Sequence, residues 1–200
     1  GLDYIKWDFN RFVTDPYSSC VKNAGEYDYR YYTAFYDILQ YLTDKYPQVL
    51  IEGCASGGAR FDLGVLYYSP QIWCSDDSDA RERLYIQEGT LVAYPQSTVS
   101  AHVSICPNHQ TGNSTSIESR FNVALTGSFG YELDWNKVSP EELKAVREQT
   151  DFYKKYRDVI AYGDYYALGS AFKNDVFGWI YVAKDKSKAV AVMVKNSLLT

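Results

Sequence analysis

Tyr4-Ile5-Lys6-Trp7-Asp8-Phe9-Asn10 reads as a short β-strand ending in a carboxylate, and Trp73-Cys74-Ser75-Asp76-Asp77 repeats the arrangement. Two strand-end acids suit chemistry on a sugar, in which one carboxylate attacks and another moves a proton. Side chains alternate along a strand, so Lys6 and Asp8 share one face and Trp7 takes the other. A cation near a carboxylate favours its ionised form, as a nucleophile requires; the same two residues also read as a structural ion pair at a strand end. Asp76 shares a face with Cys74, and its acidic neighbours disfavour its charge, which lifts a carboxyl toward the range of a general acid. The alternative is that Asp77 and Asp79 cap the helix that follows.

Glu52 and Cys54 share a face of a further strand, which makes Glu52 a rival third acid. Cys54 precedes the permissive Ser56-Gly57-Gly58, so backbone and thiol could come close to a ligand, although a cysteine in an apolar strand also serves simply as packing. A thiol nucleophile would want a histidine, and the chain has two, His102 and His109. His102 ends a strand and either reaches the site or is a satisfied structural histidine.

The elements that must position these groups alternate. Residues 26–46 carry Tyr31, Phe35, Ile38 and Leu42 at helical spacing and stop before Pro47. A buried strand from Val49 to Glu52 follows, then a strand over 71–75. Asp79-Ala80-Arg81-Glu82 reads as a capping box opening a helix to about Tyr94. Residues 97–103 form a strand, 116–125 a helix and 127–132 a short strand. Ser139-Pro140-Glu141-Glu142 then supplies a cap, a proline at the first helical position and a reciprocating glutamate for a helix to about Val159. Strands alternating with helices imply right-handed crossovers and a parallel sheet, and acids at the C-terminal ends of separate strands favour a barrel over an open sheet. Past Ala161 the pattern changes to a hairpin, residues 179–183 and 189–194 flanking Lys184-Asp185-Lys186-Ser187.

Composition narrows the partners. The net charge is −5 with the basic residues scattered, so no nucleic-acid footprint is present, and no apolar run approaches the roughly 20 residues that cross a bilayer. Aromatic residues make up 16% of the chain, with 20 Tyr and 4 Trp, and such rings serve both cores and sugar-stacking surfaces. Cys20, Cys54, Cys74 and Cys106 are spaced like neither a zinc site nor a compact disulfide framework, which points to reduced thiols and a cytoplasmic setting. Asn113-Ser114-Thr115 fits a glycosylation acceptor, a pattern short enough to arise by chance.

Four stretches together resemble the bacterial α-galactosidases of glycoside hydrolase family 36: Tyr4-Ile5-Lys6-Trp7-Asp8-Phe9-Asn10-Arg11, Cys54-Ala55-Ser56-Gly57-Gly58-Ala59-Arg60-Phe61-Asp62, Tyr67 through Ala80, and Pro107-Asn108-His109-Gln110-Thr111. The likeness continues through Asp134. It implies a retaining glycosidase acting on terminal α-galactosyl residues of melibiose- or raffinose-type sugars, with Asp8 as nucleophile and Asp76 as general acid/base. It further implies that Lys6, Trp7, Asn10, Cys54, Ala55, Ser56 and Gly57 contact or line the sugar site, and that no metal or organic cofactor takes part. The implied architecture is α/β, a partial (β/α)8 TIM barrel spanning about strands 4 to 8 of the family's barrel over residues 1–161, followed by the start of an antiparallel β-domain over 162–200. A barrel open at two edges would associate with copies of itself or with the family's N-terminal half. Two other readings keep the fold: a barrel piece without turnover of its own, and an α-N-acetylgalactosaminidase or galactosyl-transferring relative.

Overall fold

β1 (Tyr4–Asp8) pairs in parallel with β2 (Leu50–Cys54), which pairs in parallel with β3 (Gln71–Trp73). The computed structural model describes residues 1–9 and 14–198 and divides into two units, Gly1–Trp73 and Cys74–Thr200. Asn10, one of the expected sugar contacts, lies outside the described residues.

In the first unit α1 (Ala24–Lys45) crosses from β1 to β2. Its start is fixed by Asn23, whose side chain accepts from the Glu26 amide while the Glu26 carboxylate accepts from the Lys22 amide. The buried stripe runs through Phe35 and Leu39 onto Ile51, Val65 and Ile72 of one apolar cluster. Ile38, an expected core position, is exposed instead. Both Ile38 and Leu39 sit one turn from Phe35, and only the packing against β2 chooses between them. A short helix, α2 (Leu63–Tyr68), has no counterpart in the sequence reading; Asp62 caps it by accepting from the Val65 amide.

The second unit contains α3 (Ala80–Leu91), β4 (Val99–Ser104), α4 (Ile117–Ala124), β5 (Ser128–Glu132) and α5 (Pro140–Tyr162), with β4 and β5 parallel. The capping box at Ser139 forms as its sequence requires, with reciprocal bonds between Ser139 and Glu142. An antiparallel sheet follows, β6 (Asp164–Leu168), β7 (Val176–Val182) and β8 (Ala189–Lys195). β7 and β8 are the expected hairpin, and β6 is an added strand. Trp179, Tyr181 and Val192 share one core with Val103, Phe121 and Ile160, so this sheet closes on the helices of the same unit. The buried Tyr181 hydroxyl donates to the carbonyls of Leu125 and Thr126. No helix among the described residues is long and apolar enough to cross a membrane.

Candidate active site

Alternation and register assemble the first half of the site on one face of the first unit's sheet. Lys6 stands opposite Glu52 and Asp8 opposite Cys54, and residues paired across a parallel ladder point the same way. Trp7 points to the other face, edge-on to Phe35 at a ring separation of 6.0 Å, within the cluster beneath the helices. The structure therefore gathers Lys6, Asp8 and Cys54 and leaves Trp7 in the packing.

The layers of this face differ in depth. Asp8 is exposed at the strand end, beside the buried Cys54. One layer below, Glu52 is 2% exposed and pairs with the Lys6 ammonium, Nζ to Oε1 being 3.6 Å. The Tyr4 hydroxyl donates to the other oxygen of Glu52. The Lys6 ammonium also lies 4.5 Å from the centre of the Trp73 ring. Lys6 is thus Glu52's ion-pair partner, and Glu52, a possible third acid in the sequence reading, sits too deep to meet a substrate at the strand ends.

Cys54 keeps its proton. Burial is the main cause that pushes its thiol up to about 11, with a smaller contribution from its hydrogen bond to Asp8 and an opposing one from the Gly57 backbone. The thiolate fraction at pH 8 is then about one in a thousand. Iodoacetamide at pH 8 is expected to alkylate the exposed Cys20 and leave Cys54 unmodified, with Cys54 labelling rising only as the pH approaches 11. Peptide mass spectrometry across a pH series checks this, and full labelling of Cys54 at pH 8 would contradict the protonated thiol.

Beyond β2 the chain turns sharply, with Ser56 (φ 48°) and Gly57 (φ 76°) both left-handed and the Ala55 amide donating to the Gly57 carbonyl at 3.0 Å. Glycine suits the second of these positions because no Cβ opposes that backbone. Ser56 is exposed and Gly57 buried. Arg60, a residue the sequence reading assigned no role, ties the ends of both strands. Its guanidinium donates to the carbonyls of Phe9 (2.9 Å) and Cys54 (3.0 Å) and lies 4.9 Å from the Phe35 ring centre. Its place in the Cys54–Asp62 motif was the available signal.

The second unit carries Asp76, exposed, in a segment that is not a strand: β3 ends at Trp73, short of the expected Ser75. Past it, the Ser75 carbonyl accepts from the Arg83 guanidinium, and the amides of Asp77, Ser78 and Asp79 donate to the side chains of Ser75, Gln110 and Asp77 and so to no neighbouring strand. Asp79 caps α3 by accepting from the Arg81 amide at 2.7 Å. Its other oxygen accepts from Asn113 (2.8 Å) and from the Thr111 hydroxyl. Asn108 donates to the Ser78 hydroxyl (3.2 Å), and the Ser104 hydroxyl donates to the Ser78 carbonyl (2.8 Å). The Pro107–Thr111 motif is thereby explained as a clamp on the segment bearing Asp76. His109 is exposed, and His102 lies with Nδ1 3.7 Å from Glu132 Oε2 on the next strand.

The Melibiase family model matches residues 1–163, which include every residue of this site. The chain belongs to the melibiase family. It is 45% identical to the bifunctional α-galactosidase/sucrose kinase AgaSK of Mediterraneibacter gnavus, over 97% of this chain and 20% of that protein. It is 46% identical to the α-galactosidase Mel36A of Lactobacillus acidophilus, over 96% of this chain and 26% of that one. Among solved structures, the α-galactosidase of Lactobacillus brevis superposes with a TM-score of 0.92 at 46% identity, over 97% of this chain and 27% of that chain. A variant of the family 36 enzyme AgaA of Geobacillus stearothermophilus, in complex with raffinose, gives 0.91 at 41% identity, over 95% and 27%. The melibiase chain therefore has the architecture expected of it, part of a (β/α)8 barrel followed by a small antiparallel sheet. It spans about a quarter of the length of the relatives it matches.

Proposed function

We propose that this chain carries the catalytic residues of a retaining α-galactosidase. The observation that supports this most is the polar face on which Lys6, Asp8 and Cys54 converge at the C-terminal end of β1 and β2, where barrel enzymes keep their chemistry, in a chain whose relatives are named α-galactosidases. Asp8 is the nucleophile. Its carboxylate attacks the anomeric carbon of a terminal α-galactosyl group while Asp76 gives its proton to the departing oxygen. Water, deprotonated by Asp76, then breaks the glycosyl–Asp8 bond, so two displacements restore the α configuration. This requires the two carboxyl groups to stand roughly 5 Å apart. Lys6, Asn10, Cys54 and Gly57 hold the galactose, and the thiol's modest size at the sugar's second carbon favours galactose over its N-acetylamino relative. Raffinose- and stachyose-bound structures of AgaA variants support galacto-oligosaccharides as the substrate class.

The span of the relatives favours a second reading of the chain by itself: as a quarter of a longer enzyme it turns over nothing until further barrel strands cover the outer edge of β1. An apolar cavity of about 360 Å³ lined by Leu2, Ile5, Leu42, Val49 and Ile51 supports association, with another copy or with the family's N-terminal half. Residues 1–161 are the barrel portion and 162–200 the start of the β-domain, and the reduced thiols fit a cytoplasmic setting.

Hydrolysis of a nitrophenyl α-galactoside should be measured for the 200-residue chain and for Mel36A in which this chain replaces the equivalent segment. Turnover by the graft with retained α configuration of the first-formed galactose is expected. An inverted first product would overturn the mechanism, and a folded but inactive graft would overturn the assignment.

A further inference from the structure

We propose that Glu52 is a positioning residue that holds the Lys6 ammonium in place to meet the sugar; the inference rests on the α-galactoside reading. Glu52 is 2% exposed, and a carboxylate so far from water costs several kcal/mol unless it is paired and hydrogen-bonded. Two partners from β1 meet it. The Tyr4 hydroxyl donates to one oxygen, and the Lys6 ammonium lies 3.6 Å from the other. The register that sets Lys6 opposite Glu52 puts this carboxylate one layer beneath Asp8 and Cys54. From there it faces the ammonium from below.

The Trp73 ring takes the ammonium at 4.5 Å, a second anchor on the same cation. The Lys6 side chain is 37% exposed, against 2% for that of Glu52. The cation is therefore held by a buried carboxylate and a ring while its side chain keeps part of its surface in solvent. A lysine has about four rotatable bonds and loses considerable rotamer freedom when it is ordered. A countercharge fixed in the strand floor removes that cost before the sugar binds, which is what preorganisation of a binding group means. Glu52 does not touch the substrate, so its effect should pass entirely through Lys6.

A double-mutant cycle tests that route. Glu52→Gln keeps the size of the side chain and an acceptor for Tyr4 but removes the charge. In the graft, Glu52→Gln is expected to raise KM for the nitrophenyl galactoside about tenfold with kcat within about twofold, the pattern of lost uniform binding. Lys6→Met should raise KM at least as much, and the double variant should be no worse than Lys6→Met. In the 200-residue chain, the double variant's melting temperature should fall by less than the sum of the two single shifts.

Additive effects on KM, or an effect of Glu52→Gln on kcat alone, would overturn the positioning role while normal turnover of the unsubstituted graft leaves the α-galactoside reading standing. An inactive unsubstituted graft would remove both. Should Glu52→Gln fail to fold, Lys6→Met and the double variant, which buries no unpaired charge, still decide the matter. A further rise in KM from the first to the second would overturn the inference.

Discussion

Asp8→Asn is expected to lower nitrophenyl α-galactoside hydrolysis by the graft roughly 10⁴-fold, with the fold intact. The amide has the shape of the carboxylate but cannot displace the leaving group and form a glycosyl ester. Asp8 is exposed at the end of β1, and the Cys54 thiol that donates to it finds an oxygen on asparagine as well. Stability should therefore change by no more than about 0.5 kcal/mol, as for a surface substitution. Added azide would attack the anomeric carbon in place of the missing nucleophile, with the nitrophenolate leaving, and give the β-galactosyl azide. Recovery of turnover with that product identifies Asp8 as the nucleophile. Unchanged hydrolysis in the variant would sink the assignment, and a large drop in melting temperature would show that the carboxylate holds the strand end.

The elements legible in the sequence are those whose signals are local. α5 is the clearest: Ser139, Pro140 and Glu142 satisfy its first amides within one turn, and the bonds form as written. β1 and β2 are legible because alternation alone sorts Lys6, Asp8, Glu52 and Cys54 onto one face and Trp7 onto the other. α2 escaped because its six residues, Leu63–Tyr68, are too few to show a period. β6 escaped for a related reason: Asp164–Leu168 is half-exposed to exposed throughout, so it lacks the alternation that marked the hairpin. Partnerships between distant residues were beyond reach. Nothing near Asp79 announces that Asn113 and Thr111 will bind its second oxygen, and nothing near Lys6 announces that its countercharge is Glu52 rather than Asp8. Sheet register decides the Lys6–Glu52 pairing, and the packing of the loop after β4 decides that of Asp79.

Arg83→Met is expected to be the most destabilising single change in the second unit, by about 3–5 kcal/mol. Arg83 is 2% exposed on α3, and its guanidinium donates to the Gln87 side chain (3.0 Å) and to the carbonyls of Ser75 (3.0 Å) and Ser100 (2.6 Å). Burial lowers the pKa of this guanidinium, and nearby Cys74, Asp77 and Glu132 counteract that shift, so it still binds as a cation. Methionine fills much of the volume but leaves three acceptors without their donor in the interior, each costing about 1–3 kcal/mol. Gln87 would lose the bond that aligns it for its own donation to the Val123 carbonyl on α4, spreading the damage from α3 to α4. Arg83→Lys should recover only part of the loss, since one ammonium cannot reproduce a planar fork serving three directions. A drop of roughly 10 °C in melting temperature is the expected reading for methionine. Lys144→Ala, on the exposed side of α5, should stay close to the unsubstituted protein. The Ser75 carbonyl precedes Asp76 by one residue, so a variant still folded at assay temperature should also lose turnover in the graft beyond what its folded fraction explains. Activity that simply tracks the folded fraction would confine Arg83 to stability and leave the aim of Asp76 to the Pro107–Thr111 clamp.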